Sequence, residues 1–264
     1  MEYQPLVHIP ALYLAIPYFL LLVFFNWLGF LYKKRQVKKF PDIGSSGLGT
    51  AEGSLLGLMA LLLSFAFGIS ATKYESRRHV IVEEANNIGT VILRCDLYPD
   101  SARSLFRADL RNYLEARIAY YDVGDNADQI QNALSRADSI SGLCWKRVSE
   151  LSHNASYTVA SMQMIPALNA MIDIVSTREA ERRSVVPRLI LDILLILTIV
   201  SSFLTGYGSK GHERRWVLVV AFALMTTLAL YLVIDLDRPR QGYINLNSAE
   251  QQMINLKTNF IEHQ

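Results

Sequence analysis

The longest unbroken pattern in the chain covers residues 52–94 and changes character once. Residues 53–72, GSLLGLMALLLSFAFGISAT, carry no charge and are long enough to cross the hydrocarbon core of a bilayer. Residues 73–94, KYESRRHVIVEEANNIGTVILR, are charged and amphipathic, and no proline separates the halves. The pattern predicts one helix that begins in a membrane and runs out of it. Small residues recur along the first half at Gly53, Gly57, Ala60, Ser64, Gly68 and Ala71, mostly three and four apart. Such a stripe admits a close neighbour: the first span of the same subunit, a second subunit, or the lumen of a pore. In the second half, Tyr74, Arg78, Ile81, Ala85, Ile88 and Ile92 form a mainly apolar seam that wants a partner helix. Thr72, Ser76, His79, Glu83, Asn86 and Thr90 step likewise on roughly the opposite face. That polar seam is either a solvated surface or, where copies surround an axis, a set of rings around a water-filled vestibule.

Three further apolar runs have membrane length. Residues 6–32 lack Lys, Arg, Asp and Glu and end in a basic block, which reads as an anchor rather than a cleaved signal. Tyr13, Tyr18, Trp27 and Tyr32 supply interface aromatics. Residues 189–209 follow Pro187, a residue suited to a helix start, and residues 216–234 form the fourth span. Asp192 lies one turn inside the third span, four residues after Arg188. An intramembrane acid marks function by default, and here the i−4 arginine predicts a paired interfacial residue.

Between the second and third spans the period stays helical, with no alternating strand pattern. A helix to about Tyr121, capped by Asp100 or Ser101, carries Phe106, Leu110, Tyr113, Leu114, Arg117 and Tyr121 on one side. A second covers about 128–151, with Ile130, Leu134, Ala137, Cys144, Val148 and Leu151 inward. A third covers about 157–181, with Met162, Ile165, Leu168, Ile172 and Val175 inward and a kink at Pro166. The tail closes with a short amphipathic helix capped by Asn247 or Ser248. The fold expected is an all-α membrane protein in four parts. A transmembrane hairpin occupies 1–72 (spans about 7–32 and 53–72), and an extramembrane helical bundle 73–185. A second hairpin follows over 186–236 (spans about 188–208 and 216–234), then a tail over 237–264.

Composition adds limits rather than chemistry. The 264 residues are 51% hydrophobic and carry a net charge of +2, so no nucleic-acid partner is implied. The basic residues instead gather at the ends of apolar runs. Four spans put both termini and the 73–185 domain on one side, and the two short loops, with eight Lys and Arg, on the other. Short loops dominate the positive-inside rule, which places the domain and termini on the non-cytoplasmic side of a bacterial inner membrane. Lys73, Arg77, Arg78, Arg178, Arg182, Arg183 and Arg188 flank spans on the domain side and count against that placement. Cys95 and Cys144 lack metal-ligand spacing and read as buried thiols, with a single disulfide as the alternative. No phosphate loop, dinucleotide fingerprint, HExxH or GxSxG is present. The five histidines are scattered, and Glu83 and Glu84 point about 100° apart on a helix. Neither a catalytic site, a metal site nor a cofactor is expected.

Residues 62–99 resemble the hallmark of a bacterial membrane family called bestrophin-like. In it a span ends in a polar helix of the form E-A-N-x-[IL]-G-T, matched by Glu84, Ala85, Asn86, Ile88, Gly89 and Thr90. Leu110, Arg111, Tyr113 and Arg117 fit the following LRxYxxxR segment. Asp237, Arg238, Pro239 and Gly242 fit a D-R-P-aromatic-x-G motif after the last span, with Arg240 in place of the aromatic. A more distant resemblance reaches the bestrophins proper, pentameric anion channels whose second span lines the pore. Tyr74 and Arg77 are similar to their aromatic-and-arginine motif, and their calcium-binding acidic cluster is reduced here to Asp235 and Asp237. Bestrophins keep this domain in the cytoplasm, contrary to the loop charges.

The resemblance implies a homo-oligomeric channel in a lipid bilayer conducting an inorganic ion. Ser64, Phe65, Phe67, Gly68 and Thr72 are then candidates for the pore, with the two phenylalanines as a hydrophobic constriction, and His79, Glu83, Asn86 and Thr90 for the vestibule. The rival expectation is a membrane-anchored interaction or sensing module with no transport activity.

Overall fold

The computed structural model describes residues 11–39, 49–124, 126–209, 215–238 and 242–260. They are helical, with no strand among them. The helices are α1 (Ala11–Lys39), α2 (Gly49–Arg94), α3 (Asp100–Asp122), α4 (Ala127–Ser152), α5 (Thr158–Arg183), α6 (Arg188–Tyr207), α7 (Trp216–Asp237) and α8 (Asn247–Asn255). Stretches long and apolar enough to cross a membrane lie in Leu12–Lys39, Glu52–Leu97, Ala155–Tyr207 and Trp216–Asp237. The described chain divides into two compact units. One runs to Tyr74 and resumes over Val185–Ile244; the other comprises Glu75–Ser184 and the segment from Asn245 onward.

In the first unit α1 and α6 approach so closely that only glycine fits. A Cβ on Gly29 would collide with the Phe203 carbonyl, and one on Gly206 with the Asn26 carbonyl. Interhelical hydrogen bonds reinforce the contact, since lipid offers exposed polar groups no alternative partner. Asn26 Nδ2 donates to the Ser202 carbonyl at 3.1 Å, Ser202 Oγ to the Leu22 carbonyl at 2.7 Å, and Tyr18 pairs with Thr198. The membrane half of α2 buries Ala66 against Leu194, Leu230 and Val233, with Leu62 and Leu63 beside it. Within this unit the close approach is thus between α1 and α6, and of the three neighbours expected for the α2 stripe the first span of the same subunit is not met at its glycines. Nothing lies within 4 Å of a Cβ placed on Gly53, Gly57 or Gly68.

The second unit takes its core from the apolar seam of α2. Ile81, Ala85, Ile88 and Ile92 are buried, whereas Arg78 is exposed and pairs with Glu75 at 3.0 Å. From α3 come Phe106, Leu110, Tyr113, Leu114 and Arg117, as expected, and also Tyr120. α4 contributes Ile130, Ala137, Cys144 and Val148. The face expected for α5 is corrected in part: Leu168 is buried as expected, while Ile165, Ile172 and Val175 are half-buried. Met162 is 67% exposed, and the buried face is Ala160, Ser161, Met164, Ala167, Leu168, Met171, Ile174 and Arg178. The helix is apolar on more than one side, and small residues and Arg178 face inward because a charged partner awaits that arginine.

The helix ends differ in detail from the sequence reading. Pro99 takes the N-cap of α3, so neither Asp100 nor Ser101 caps it, and Leu246 takes that of α8 in place of Asn247 or Ser248. Pro187 stands at the start of α6 as expected, occupying its N-cap. α4 does have a side-chain cap, Asn126, which accepts from the Gln129 amide at 3.1 Å.

Candidate functional site

Alternation of burial along α2 defines the first feature. Ala66 is fully buried, and two residues either way turn roughly 200° on a helix. Ser64 and Gly68 consequently face outward, and with Phe65, Ile69, Thr72 and Lys73 they line a shallow groove. The Thr72 hydroxyl donates back to the Gly68 carbonyl at 2.9 Å. Phe65 and Phe67 are 60% and 45% exposed on opposite flanks, so only Phe65 reaches the groove. Farther along α2, His79, Glu83 and Asn86 are exposed and Thr90 is half-buried, its hydroxyl donating to the Asn86 carbonyl at 2.9 Å. The polar seam is thus exposed at Thr72, His79, Glu83 and Asn86 and half-buried at Ser76 and Thr90.

The bestrophin-like motif turns its other residues inward. Gly89 sits under Leu256, whose Cδ2 would lie 3.4 Å from a Cβ there. Glu84 has no exposed surface and accepts Arg117 Nε at one carboxylate oxygen and Arg178 Nη1 at the other. Burial alone would push this carboxyl up, but the Arg178 and Arg117 charges and their hydrogen bonds hold it below the usual range. Both guanidiniums pack on rings: Arg117 over Tyr120 at 4.8 Å, and Arg178 over Tyr120 at 5.0 Å and Tyr121 at 3.8 Å. The sequence places Arg178 only among the basic residues that flank spans, and the signal of its pairing is an arginine at the end of an apolar face. Nearby, Tyr113 donates to the Met171 carbonyl at 3.4 Å, and burial raises its phenol.

Other motif residues have structural partners. Arg77 is buried and donates to the Glu181 carbonyl at 3.2 Å and to the Ser184 carbonyl, satisfying the open end of α5. Tyr74 is half-buried. Arg111 is exposed, 3.7 Å from Glu115. In the first unit the Asp235 carboxylate accepts the Tyr243 amide at 3.1 Å and the Ile244 amide at 2.9 Å. A Cβ on Gly242 would lie 2.6 Å from its Oδ1, which explains the glycine of the motif. Asp237 accepts the Val186 amide at 3.0 Å, and the Gly242 amide donates to the Arg238 carbonyl at 3.0 Å. Pro239 and Arg240 lie outside the described residues. Asp235 and Asp237 thus hold backbone, and no cluster among the described residues is suited to a metal.

Asp192 is exposed and forms no ion pair with Arg188, nor any hydrogen bond with a described residue, so the expected i−4 pair is not made. Cys95 and Cys144 are buried free thiols, each pushed up to about 12 by burial.

A family model described as Bestrophin-like domain matches residues 53–250. Among solved structures, a bacterial bestrophin homolog from Klebsiella pneumoniae superposes with a TM-score of 0.71 at 14% identity, covering 92% of this chain and 98% of that one. A mutated form of a bacterial bestrophin homolog from the same organism gives 0.73 at 13% identity, over 99% and 98%. At such identity the likeness is one of fold. No curated protein matches the sequence.

Proposed function

The chain belongs to the bestrophin-like family, and on that premise we propose that it is an oligomeric membrane ion channel whose pore is lined by the open face of α2. The observation that carries this reading is the one-sided burial of that helix. One face packs inside the protomer, while Ser64, Gly68, His79, Glu83 and Asn86 remain exposed. A ring of copies would place Ser64, Gly68 and Thr72 along the axis in the membrane. Phe65, beside them in the groove, would narrow it to a hydrophobic constriction of the kind that gates by dewetting, with Phe67 on the opposite flank. His79, Glu83, Asn86 and Thr90 would line the vestibule. A Glu83 ring favours cations, whereas the bestrophin resemblance points to anions, so selectivity is the sensitive readout.

Native mass spectrometry of the purified protein tests the assembly. A closed ring of four or more subunits supports the channel, and a monomer or dimer overturns it. In reconstituted vesicles Glu83→Gln is expected to change conductance or charge selectivity, and unaltered currents would remove Glu83 from the pathway. From the loop charges we place residues 73–185 and both termini on the non-cytoplasmic side of a bacterial inner membrane. Reporter fusions at the C-terminus check this, and a cytoplasmic signal would give the bestrophin orientation instead.

A membrane-anchored interaction module is the second reading. It is favoured by Leu93, Leu97, Val159 and Met162, apolar side chains of the extramembrane unit that are 53–76% exposed.

A further inference from the structure

Inside the extramembrane unit the charges around Glu84 do not balance. One carboxylate meets two guanidiniums, which leaves an excess of one positive charge where Glu84 and Arg117 have no exposed surface and Arg178 is 5% exposed. Glu179, which reaches the Tyr120 hydroxyl, is committed elsewhere: it accepts from Tyr120, Arg182 and Arg183. The hydrogen bonding is also incomplete. Arg117 spends Nε on Glu84, and both its Nη1 and Nη2 are buried without an acceptor. Arg178 spends Nη1, and its Nη2 is buried without one. The Tyr121 hydroxyl is in the same condition. A tyrosine ring does not replace an acceptor for these groups, since an N–H aimed at a π face is a second-order contact and carries no counter-charge. Buried donors without acceptors and a buried charge without a counter-charge are both strongly unfavourable.

We propose that Arg117 and Arg178 together hold a small monovalent anion within this unit. Its chemistry follows from the donors. Every unpaired group is an N–H or O–H, so the ligand is an acceptor. One negative charge neutralises the excess, and burial favours a weakly hydrated ion such as a halide or nitrate over a phosphate. The free end of Arg117, with Nη1 and Nη2 side by side, suits an acceptor approaching head-on. The site is independent of the channel reading: it belongs to the helical core and would exist in a protein that conducts nothing.

Crystals of the full-length protein in bromide, measured at the bromine absorption edge, test this directly. An anomalous peak against Arg117 Nη1 or Nη2 and Arg178 Nη2 is expected. An ordered water there, or no bromide peak, overturns the proposal. Thermal unfolding at fixed ionic strength, with chloride or nitrate replacing gluconate, gives a second readout, because a ligand bound only by the folded state raises the midpoint. The wild-type midpoint should rise with chloride. Glu84→Gln raises the excess charge to two and should steepen that dependence. Arg117→Gln leaves Glu84 and Arg178 as a neutral pair and should abolish it. Equal dependence in wild type and Arg117→Gln overturns the site even where Glu84→Gln does not fold.

Discussion

Glu84, in the core of the second unit, and Asp235, near the end of α7, are carboxylates at most 1% exposed, yet they are satisfied by different means. Glu84 is held by two arginines that lie 33 and 94 residues away along the chain, on α3 and α5. Asp235 is held by the backbone amides of a turn eight and nine residues on, and glycine at 242 lets that turn come close. The first carboxylate ties three helices together through charge; the second shapes one chain reversal. Loss of the first should be felt across its unit, and loss of the second mainly at the turn.

The sharpest way to break this comparison is Glu84→Ala. It strands two buried guanidiniums, and removal of one partner from a buried ion pair costs about 3–5 kcal/mol. Asp235→Ala strands two amides, for which a loss of about 1–3 kcal/mol is expected. Denaturant unfolding of both variants in detergent gives the two values side by side. Equal losses would mean that the charges around Glu84 contribute no more than the turn does.

The same contrast explains what could be read in advance. The continuity of α2 was legible because its helical period survives the change from uncharged to charged residues without a proline. Glu84 and Arg117 stood out through the family motifs, but their partner did not. Arg178 lies on α5, where Met162, Ile165 and Ile172 suggest a different inward face, and only tertiary contact settles the register. The α1–α6 contact was equally hidden, since lone glycines at 29 and 206 make no pattern within their own helices. The stripe on α2 makes a clear pattern and packs against nothing in its own unit at Gly53, Gly57 and Gly68. Recurrence of small residues signals that a helix can be approached, without naming the partner.

That distinction is testable with matched substitutions in one unit. Gly206→Ala drives a Cβ into the Asn26 carbonyl, and overpacking of this kind costs about 1–3 kcal/mol. Gly68→Ala meets open space in the protomer and should not lower its stability, with at most a gain of about 1 kcal/mol from helix propensity. On the channel reading proposed above, a loss caused by Gly68→Ala should appear only in assembly or flux. A large loss of protomer stability from Gly68→Ala would place a packing partner on that face.

The smallest effect concerns Glu179, which shares its helix with Arg178 but lies at the half-buried edge. Burial raises its carboxyl, yet hydrogen bonds from Arg182 and Arg183, the Arg182 charge and the Tyr120 hydroxyl outweigh this and bring it from an ordinary value near 4.5 down to about 2. A carboxylate with a depressed folded-state value stabilises the fold above its unfolded value and loses that contribution as pH falls toward the folded one. The contribution of Glu179 should therefore be complete at neutral pH, fade between about pH 4.5 and pH 2, and vanish below. Glu84 titrates in the same direction, so acid unfolding of the wild type alone does not separate the two. The difference between wild type and Glu179→Gln does. It should be constant at neutral pH and shrink through that acid window while Glu84 acts equally in both proteins. A difference that persists unchanged to pH 2 would mean that the Glu179 side chain acts through packing rather than through its charge.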